Sequence, residues 1–228
     1  SGAVTITGAV NISNAASAID FGSEAWTVSG TWTNASTDAT VWEAGTGSVT
    51  FDSATGGTMT FAGTNLAEDE FNSITFESSA GTAQTFTMAT RGLRLGGTLT
   101  ISDATSTTAL DTSVGNLAIT AGIVTITSAN GILTANGSTI TVTSFNSVGG
   151  TYTVGTSTIV VATSGGTISI DETANNMTVN SATSTTIGNS LTWSGTFTAT
   201  SAGTLTFGVS SLTSSGASAV MTFASATI

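Results

Sequence analysis

The chain has 228 residues and a formal net charge of −11, with 13 acidic residues, two basic residues and no Pro, Cys or His. Because the two basic residues are Arg91 and Arg94, lysine is absent as well, and two arginines cannot neutralise a phosphate backbone or an anionic membrane surface. Without His, Cys and Lys the chain lacks the common general base, thiol nucleophile and Schiff-base amine, so we expect no enzymatic activity and no nucleic-acid partner.

The composition predicts strands along the whole chain. Thr occurs 51 times, Ser 32 times and Gly 27 times. Thr is β-branched and suits a pleated, half-buried surface. No run of 18 apolar residues occurs, so we expect no membrane insertion.

Short segments of strict alternation follow one another from the N-terminus to the C-terminus. Each places a large apolar residue between threonines: TIT (5–7), TWT (31–33), TMT (58–60), TFT (85–87), TLT (98–100) and TITVT (139–143). This period of two places the apolar side chains on one face and the threonines on the other, which indicates half-buried strands.

Glycine precedes many of these strands at a rough interval. The cassettes GGTYTV (149–154), GGTISI (165–170) and GNSLTW (188–193) begin 16 and 23 positions apart. One strand-bearing coil of about this length is typical of a β-solenoid. We therefore predict an all-β chain, a β-solenoid similar to a right-handed β-helix, in one domain over 1–228 with two degenerate repeats at about 20–117 and 118–210.

Two Asn-Gly pairs favour a different all-β fold. Asn130-Gly131 and Asn136-Gly137 are typical of tight hairpins, which join antiparallel strands. The alternative prediction is therefore a β-sandwich or jelly roll with strand exchange between subunits.

Three segments carry a resemblance to a class of surface proteins. WTVSGTWTN (26–34), FNSITF (71–76) and LGGTLTIS (95–102) resemble the Thr/Gly-rich repeat units of large bacterial and archaeal surface proteins. GGTLTIS is also similar to strand repeats of autotransporter passenger domains. The resemblance implies a β-helical or related fold on the cell exterior, in adhesion or in structural fibres, and it implies no catalytic residue.

The chain lacks the residues that usually protect sheet edges. Soluble proteins blunt an edge strand with Lys, Pro or inward-pointing charges, and here Lys and Pro are absent and 11 of the 13 acids lie at or before Asp111. We therefore predict that the edges are consumed by assembly through the segments 3–12 and 219–228. The candidate assembly residues are Ala3, Val4, Ile6, Val10, Ile12, Val220, Met221, Phe223 and Ile228.

The densest group of acids offers a candidate calcium site. In NLAEDEFNS (65–73), Glu68, Asp69 and Glu70 supply hard oxygen ligands, and Glu68 and Glu70 share a face if the segment is a strand. The alternative is a solvated turn. We expect no other cofactor. Arg91 and Arg94, three positions apart, are expected to form surface ion pairs.

Two tryptophans are candidate glycan contacts. Trp26 and Trp32 could stack against sugar rings, and core packing is the alternative for both. Ranks of Thr on one β-face are also typical of ice-binding proteins, but the irregular cassette spacing argues against that function. Four Asn-x-Ser/Thr sequons are candidate glycosylation sites: Asn11, Asn34, Asn136 and Asn176.

The sequence thus predicts an extracellular structural protein that forms a filament or surface layer by β-strand addition or stacking, with further copies of itself as partner. The alternative is a carbohydrate-binding or adhesive module of a larger cell-surface protein, with extracellular glycans as partner.

Overall fold

The structure is a computed structural model that describes residues 2–13, 19–36, 42–62, 69–200, 203–208 and 211–224. These residues form 29 short strands and no helix. The strands follow one another in a repeating order of three, one on each of three faces per turn, except that the third turn has no face-C strand among the described residues.

Face A is a single ten-stranded sheet, and faces B and C are divided into shorter sheets. The strands of face A are Val4–Ile6, Ala25–Val28, Ser48–Asp52, Ser73–Glu77, Thr98–Ile101, Ile123–Ile126, Ser144–Asn146, Thr167–Ser169, Thr185–Ile187 and Leu205–Phe207. Those of face B are Val10–Ile12, Trp32–Asn34, Gly57–Met59, Gln84–Met88, Thr108–Asp111, Gly131–Thr134, Thr151–Thr153, Thr173–Ala174, Leu191–Trp193 and Leu212–Ser214. Those of face C are Ile19–Asp20, Trp42–Glu43, Leu93–Arg94, Ile119–Thr120, Thr139–Val142, Thr158–Thr163, Asn176–Ser181, Thr196–Ala199 and Val220–Phe223.

Every strand pairing among the described residues is parallel and joins a strand to the equivalent strand of the next turn. We call each turn, beginning with its face-A strand, a rung and number the rungs one to ten. The ten strands of face A span nine turns. The predicted β-solenoid is confirmed, and the sandwich or jelly-roll alternative is wrong because it needs antiparallel strands.

The corners between faces absorb the irregular spacing of the sequence. Ile168 pairs with Ile187, which is 19 positions later, whereas Val49 pairs with Ile74, which is 25 positions later. The hairpins predicted at the Asn-Gly pairs are also wrong, because the strands before and after each pair lie in different sheets and do not pair with each other. Asn136 has a positive φ of 49° and lies at a corner after the strand Gly131–Thr134, where the chain turns to face C and not back on itself.

The core is a column of inward-facing side chains, one layer per rung. Phe51 and Phe76 occupy equivalent positions in rungs three and four, and their rings stack with centroids 5.3 Å apart. Phe86 of face B packs against Phe76 at 4.9 Å, and all three rings are fully buried. Each layer packs on the next, and among the described residues the first and the last rung have a neighbouring rung on one side only. The two-repeat division of the chain stays a prediction, since face A runs without a break through both segments.

Candidate functional site

The two ends of the solenoid form the candidate functional site. We define the N-terminal edge as Val4–Ile6, Val10–Ile12 and Ile19–Asp20 of rung one. The C-terminal edge is Leu205–Phe207, Leu212–Ser214 and Val220–Phe223 of rung ten. Within the described residues each of these strands pairs with one neighbour. The other side of each strand therefore presents unpaired backbone N–H and C=O groups.

Inside the solenoid, inward-facing and outward-facing residues direct their backbone groups to opposite neighbours. The carbonyl of the inward-facing Ile187 in rung nine accepts a hydrogen bond from the N–H of Gly208 in rung ten, at 3.0 Å. The N–H of the adjacent, outward-facing Thr186 donates to the carbonyl of Gly166 in rung eight, at 2.8 Å. Inward-facing residues thus bind the rung that follows, and outward-facing residues bind the rung that precedes.

The C-terminal edge keeps this polarity. Val220 and Ala224 donate their N–H groups to carbonyls of rung nine, at 3.0 and 2.8 Å. Met221 and Phe223 both lie between Val220 and Ala224 in sequence. Successive residues of a strand direct their backbone groups to opposite sides. The backbone groups of Met221 and Phe223 therefore point to the open side of rung ten.

The N-terminal edge has the opposite and complementary pattern. The carbonyls of Ile6 and Ile12 accept hydrogen bonds from N–H groups of rung two, both at 2.9 Å. The outward-facing Thr5 and Asn11 therefore direct their backbone groups to the open side of rung one. The open sides of rungs one and ten match each other as two consecutive internal rungs do.

The C-terminal edge also leaves part of the core uncovered. Met221 and Phe223 pair with Phe197 and Ala199 of rung nine, which are buried and inward-facing. Met221 and Phe223 are each 37% exposed because no described residues pack on their outer side. No charged residue follows Glu172 in the sequence, so the last two rungs present an apolar and uncharged end.

No known family model, curated protein or solved structure matches the chain. In the part of the chain that the structure describes, no helix is long and apolar enough to span a membrane. The function must therefore be inferred from the geometry of the chain itself.

The structure places the predicted assembly residues in the two edges, with two exceptions. Val4, Ile6, Val10 and Ile12 lie in strands of the N-terminal edge, and Ala3 is exposed just before the first strand. The remaining ones that are described lie in the last strand of the C-terminal edge: Val220, Met221 and Phe223. Ile228 lies outside the described residues.

Glu70 is buried in the core, so a solvated turn is the wrong interpretation for this residue. Its Oε1 accepts hydrogen bonds from Nδ2 of Asn34 at 2.7 Å and from Nε1 of Trp32 at 3.3 Å. Its Oε2 accepts one from the N–H of Ala62 at 2.7 Å. Both carboxylate oxygens thus accept hydrogen bonds from donors of rungs two and three. These bonds connect two faces of the solenoid.

Of the other two calcium candidates, one lies within the described residues, so the predicted calcium site stays a prediction. Asp69 forms an ion pair with Arg94 at 3.3 Å, and Glu68 lies outside the described residues. No group of three or more acidic side chains that could hold a metal ion occurs among the residues described. The ion pair predicted for Arg94 is present, and Nη1 of Arg91 donates to the carbonyls of Asn34 and Ser36, both at 3.3 Å.

Both tryptophans proposed as glycan contacts face the core. Trp32 is fully buried and its ring lies 5.3 Å from that of Phe71 and 6.0 Å from that of Phe51. Trp26 is half-buried, pairs in register with the inward-facing Val49 and packs against the core. The prediction of Trp32 as a sugar platform is wrong because no face of its ring reaches solvent.

The four sequons differ in accessibility. Asn11 and Asn136 are exposed, and Asn176 is half-buried. Asn34 is fully buried and its amide nitrogen donates to Glu70, so the prediction of a glycan at Asn34 is wrong for the folded chain.

Asp103 organises the corner between faces A and B, which the sequence analysis missed. It is 5% exposed. Its Oδ2 accepts hydrogen bonds from the N–H of Ser78 in rung four and from the Thr108 hydroxyl, both at 2.9 Å. Burial acts to raise the pKa of Asp103, but hydrogen bonds from Thr105, Ser106 and Thr108 outweigh it and hold the pKa well below its ordinary value. The segment SDATST (102–107) carried the signal, since Asp followed by Thr and Ser favours side-chain-capped turns.

Glu77 lies near the same corner and has the opposite shift. Partial burial, followed by repulsion from Asp52 and Asp103, raises its pKa. Asp52 occupies the equivalent position in the preceding rung. Like charges directly opposite each other in adjacent strands are destabilising. An open pocket of about 370 Å³ has Glu77 and Asp103 in its lining.

Proposed function

We propose that this chain is an extracellular structural protein that polymerises end to end by β-strand addition. The C-terminal edge of one copy pairs with the N-terminal edge of the next, so that rung one of the second copy continues the solenoid as an eleventh rung. A second copy is the partner because its open edge has the donor and acceptor pattern that the first copy lacks.

The complementary backbone polarity of the two edges is the observation that supports this proposal. Inward-facing residues of rung ten, such as Met221 and Phe223, direct their groups outward along the axis, and outward-facing residues of rung one, such as Thr5 and Asn11, direct theirs the opposite way. Parallel pairing of three strands at once supplies main-chain hydrogen bonds. Packing of rung one on rung ten also covers the exposed side chains of Met221 and Phe223.

The end-to-end contact joins two different surfaces, the C-terminal edge of one copy and the N-terminal edge of the next, and this determines the shape of the assembly. A head-to-tail contact that does not close into a ring generates an open filament. Each added copy presents the same free edge again, so growth continues at both ends.

The cellular location and the non-enzymatic role are part of the same proposal. They are supported by the resemblance to Thr/Gly-rich surface repeats and by the absence of His, Cys and Lys. The alternative of a carbohydrate-binding or adhesive module loses the support of Trp26 and Trp32, whose rings face the core. Antibody labelling of intact producing cells tests the location, and labelling that requires permeabilised cells contradicts it.

A pair of double variants tests the end contact. Thr5→Pro with Asn11→Pro removes two N–H groups that point to the open side of rung one, and the hydrogen bonds to rung two remain. We expect filaments of the wild-type chain and monomers of this double variant in negative-stain electron micrographs and light scattering.

Thr5→Val with Asn11→Val is the matched control, because it changes the same side chains and keeps both N–H groups. We expect it to form filaments as the wild type does. Filaments of unchanged form from the proline variant, or a wild-type chain that stays monomeric at high concentration, contradict end-to-end strand addition.

A further inference from the structure

The outer surface of face A carries two continuous ranks of small side chains. The first rank has threonine at the same position in six consecutive rungs and continues with Asn and Ser: Thr5, Thr27, Thr50, Thr75, Thr100, Thr125, Asn146 and Ser169. The second rank lies two positions earlier in each strand and contains Ala25, Ser48, Ser73, Thr98, Ile123, Ser144, Thr167, Thr186 and Thr206. The irregular spacing of the sequence therefore does not disturb these ranks, because the corners absorb it.

The hydroxyl groups of the first rank have no partners in the described part of the chain. None of its six threonines makes a side-chain hydrogen bond to another described residue. Their methyl groups and hydroxyl groups together form a surface that is neither charged nor strongly apolar. Such a surface can approach a second surface of the same kind closely, because small side chains interdigitate.

The two ranks of face A are uncharged, whereas the other faces carry charges in theirs. Asp111 interrupts a rank of face B between Thr87 and Thr134. Arg94 begins a rank of face C. In a chain with a net charge of −11, these two uncharged ranks are the part of the surface on which two copies can meet with the least repulsion, although Asp52 and Glu77 lie at the rim of the same face.

The size of face A is sufficient for a stable contact. Nine rung spacings of about 4.8 Å and strands of about 12 Å on average give roughly 500 Å² per copy. Two such faces together reach the roughly 1,000 Å² that a specific interface requires.

Ile123 marks the middle of this surface. It lies in the sixth of the ten rungs, within the second rank, and is 42% exposed. A single exposed apolar side chain near the centre of a surface of small residues is well placed to act as an anchor, because central, desolvated positions dominate binding energy.

We propose that face A is a lateral interface that pairs two copies of this chain face to face, with Ile123 near the centre of the contact. The sheets lie about 10 Å apart, as in other stacked sheets. The contact uses the same patch on both copies and does not involve the solenoid ends. It therefore holds for single copies and, where filaments form, joins them side by side.

The test uses the full chain with its N-terminal edge blocked by Asn11→Pro on face B, so that both ranks of face A stay unchanged and lateral pairing is measured alone. Sedimentation equilibrium of this chain is expected to show a reversible dimer. Adding Ile123→Lys is expected to weaken dimerisation at least tenfold. Val114→Lys is the matched control, because Val114 is 55% exposed and lies between the strands Thr108–Asp111 of face B and Ile119–Thr120 of face C, and it is expected to leave the dimer intact.

Two results would overturn the lateral interface. One is a blocked chain that stays monomeric at millimolar concentration, including a monomer that instead adsorbs to ice crystals or to a glycan. The other is a dimer that Ile123→Lys and Val114→Lys weaken equally. A monomeric blocked chain together with single-width filaments of the wild type contradicts the lateral interface and leaves end-to-end assembly standing.

A second test of the lateral interface removes two negative charges instead of introducing a lysine. Asp52 and Glu77 lie two positions after Thr50 and Thr75, at the rim of face A. Both carboxylates carry negative charge towards the equivalent rim of a second copy. Asp52→Asn with Glu77→Gln is expected to strengthen the dimer, and a weaker or unchanged dimer contradicts the proposed orientation of face A towards its partner.

Discussion

The carboxylate of Glu70 accepts a hydrogen bond from the amide of Asn34 at 2.7 Å across the interior of the solenoid, although 36 positions separate the two residues. The same carboxylate holds the N–H of Ala62 and the indole N–H of Trp32. One buried acid therefore links face C to face B in rungs two and three.

We expect Glu70→Gln to destabilise the chain. The substituted amide presents an NH₂ group where a carboxylate oxygen accepts a hydrogen bond, so at least one of its buried donors loses its acceptor. The expected loss is about 2–4 kcal/mol in the free energy of unfolding, measured by urea denaturation. Asp69→Asn, which removes a partly exposed ion pair with Arg94, is the control and should cost less than about 1 kcal/mol. Equal losses contradict the structural role of Glu70.

Acid should unfold the chain partly through Asp103. Its folded-state pKa lies below its ordinary value, so the unfolded state binds more protons in the acidic range. The contribution of Asp103 to stability is present above its unfolded pKa, about 3.9, and is lost as the pH falls below that value. We expect Asp103→Asn to destabilise the chain by about 2–4 kcal/mol at neutral pH and to flatten the acid limb of the stability profile. Asp111→Asn is the control, because a single N–H, that of Ser113, donates to its carboxylate. An acid limb of unchanged slope in Asp103→Asn contradicts the prediction.

Glu77 should lower the stability of the folded chain as the pH rises, which is the opposite of the effect of Asp103. Its folded-state pKa is raised, so the folded state binds more protons than the unfolded state between the two pKa values. Stability therefore falls as the pH rises through this range, from about the ordinary glutamate value upward. We expect Glu77→Gln to be more stable than the wild type at neutral pH and equally stable well below the ordinary value. Thermal unfolding as a function of pH measures the difference, and a variant that is less stable at neutral pH contradicts it.

The strands and the direction of their side chains were predictable from the sequence, because alternation depends on neighbouring residues. In Thr98–Ile101 the pattern alone places Leu99 and Ile101 in the core and the threonines outside, as the structure has them. The parallel register was not predictable residue by residue. It depends on turns that span between 18 and 29 positions because their corners differ in length, and no local pattern states where each corner ends.

Long-range pairing also explains what the sequence analysis missed at the candidate sites. The acids of 65–73 look alike as a local pattern, but Glu70 is buried because its donors come from rungs two and three. Trp32 is in the core for the same reason, since Phe51 and Phe71 of the next rung pack on it. The complementary polarity of the two edges follows from the parallel register and was therefore not visible in the alternation alone.

The corner between faces C and A in the first two rungs depends on stacked glycines. Gly22 and Gly45 have positive φ values of 59° and 61°, and a Cβ on Gly45 would collide with the carbonyl oxygen of Gly22. Gly45→Ala therefore combines backbone strain with a clash against a backbone atom that cannot move aside. Gly81 also has a positive φ, 66°, but open space surrounds the position of its missing Cβ. We expect Gly81→Ala to cost about 1–2 kcal/mol, from strain alone, and Gly45→Ala to cost clearly more. Urea denaturation of the two variants measures the difference. Equal losses would mean that rungs one and two do not stack at this corner, and with that the end geometry on which filament growth depends would fail.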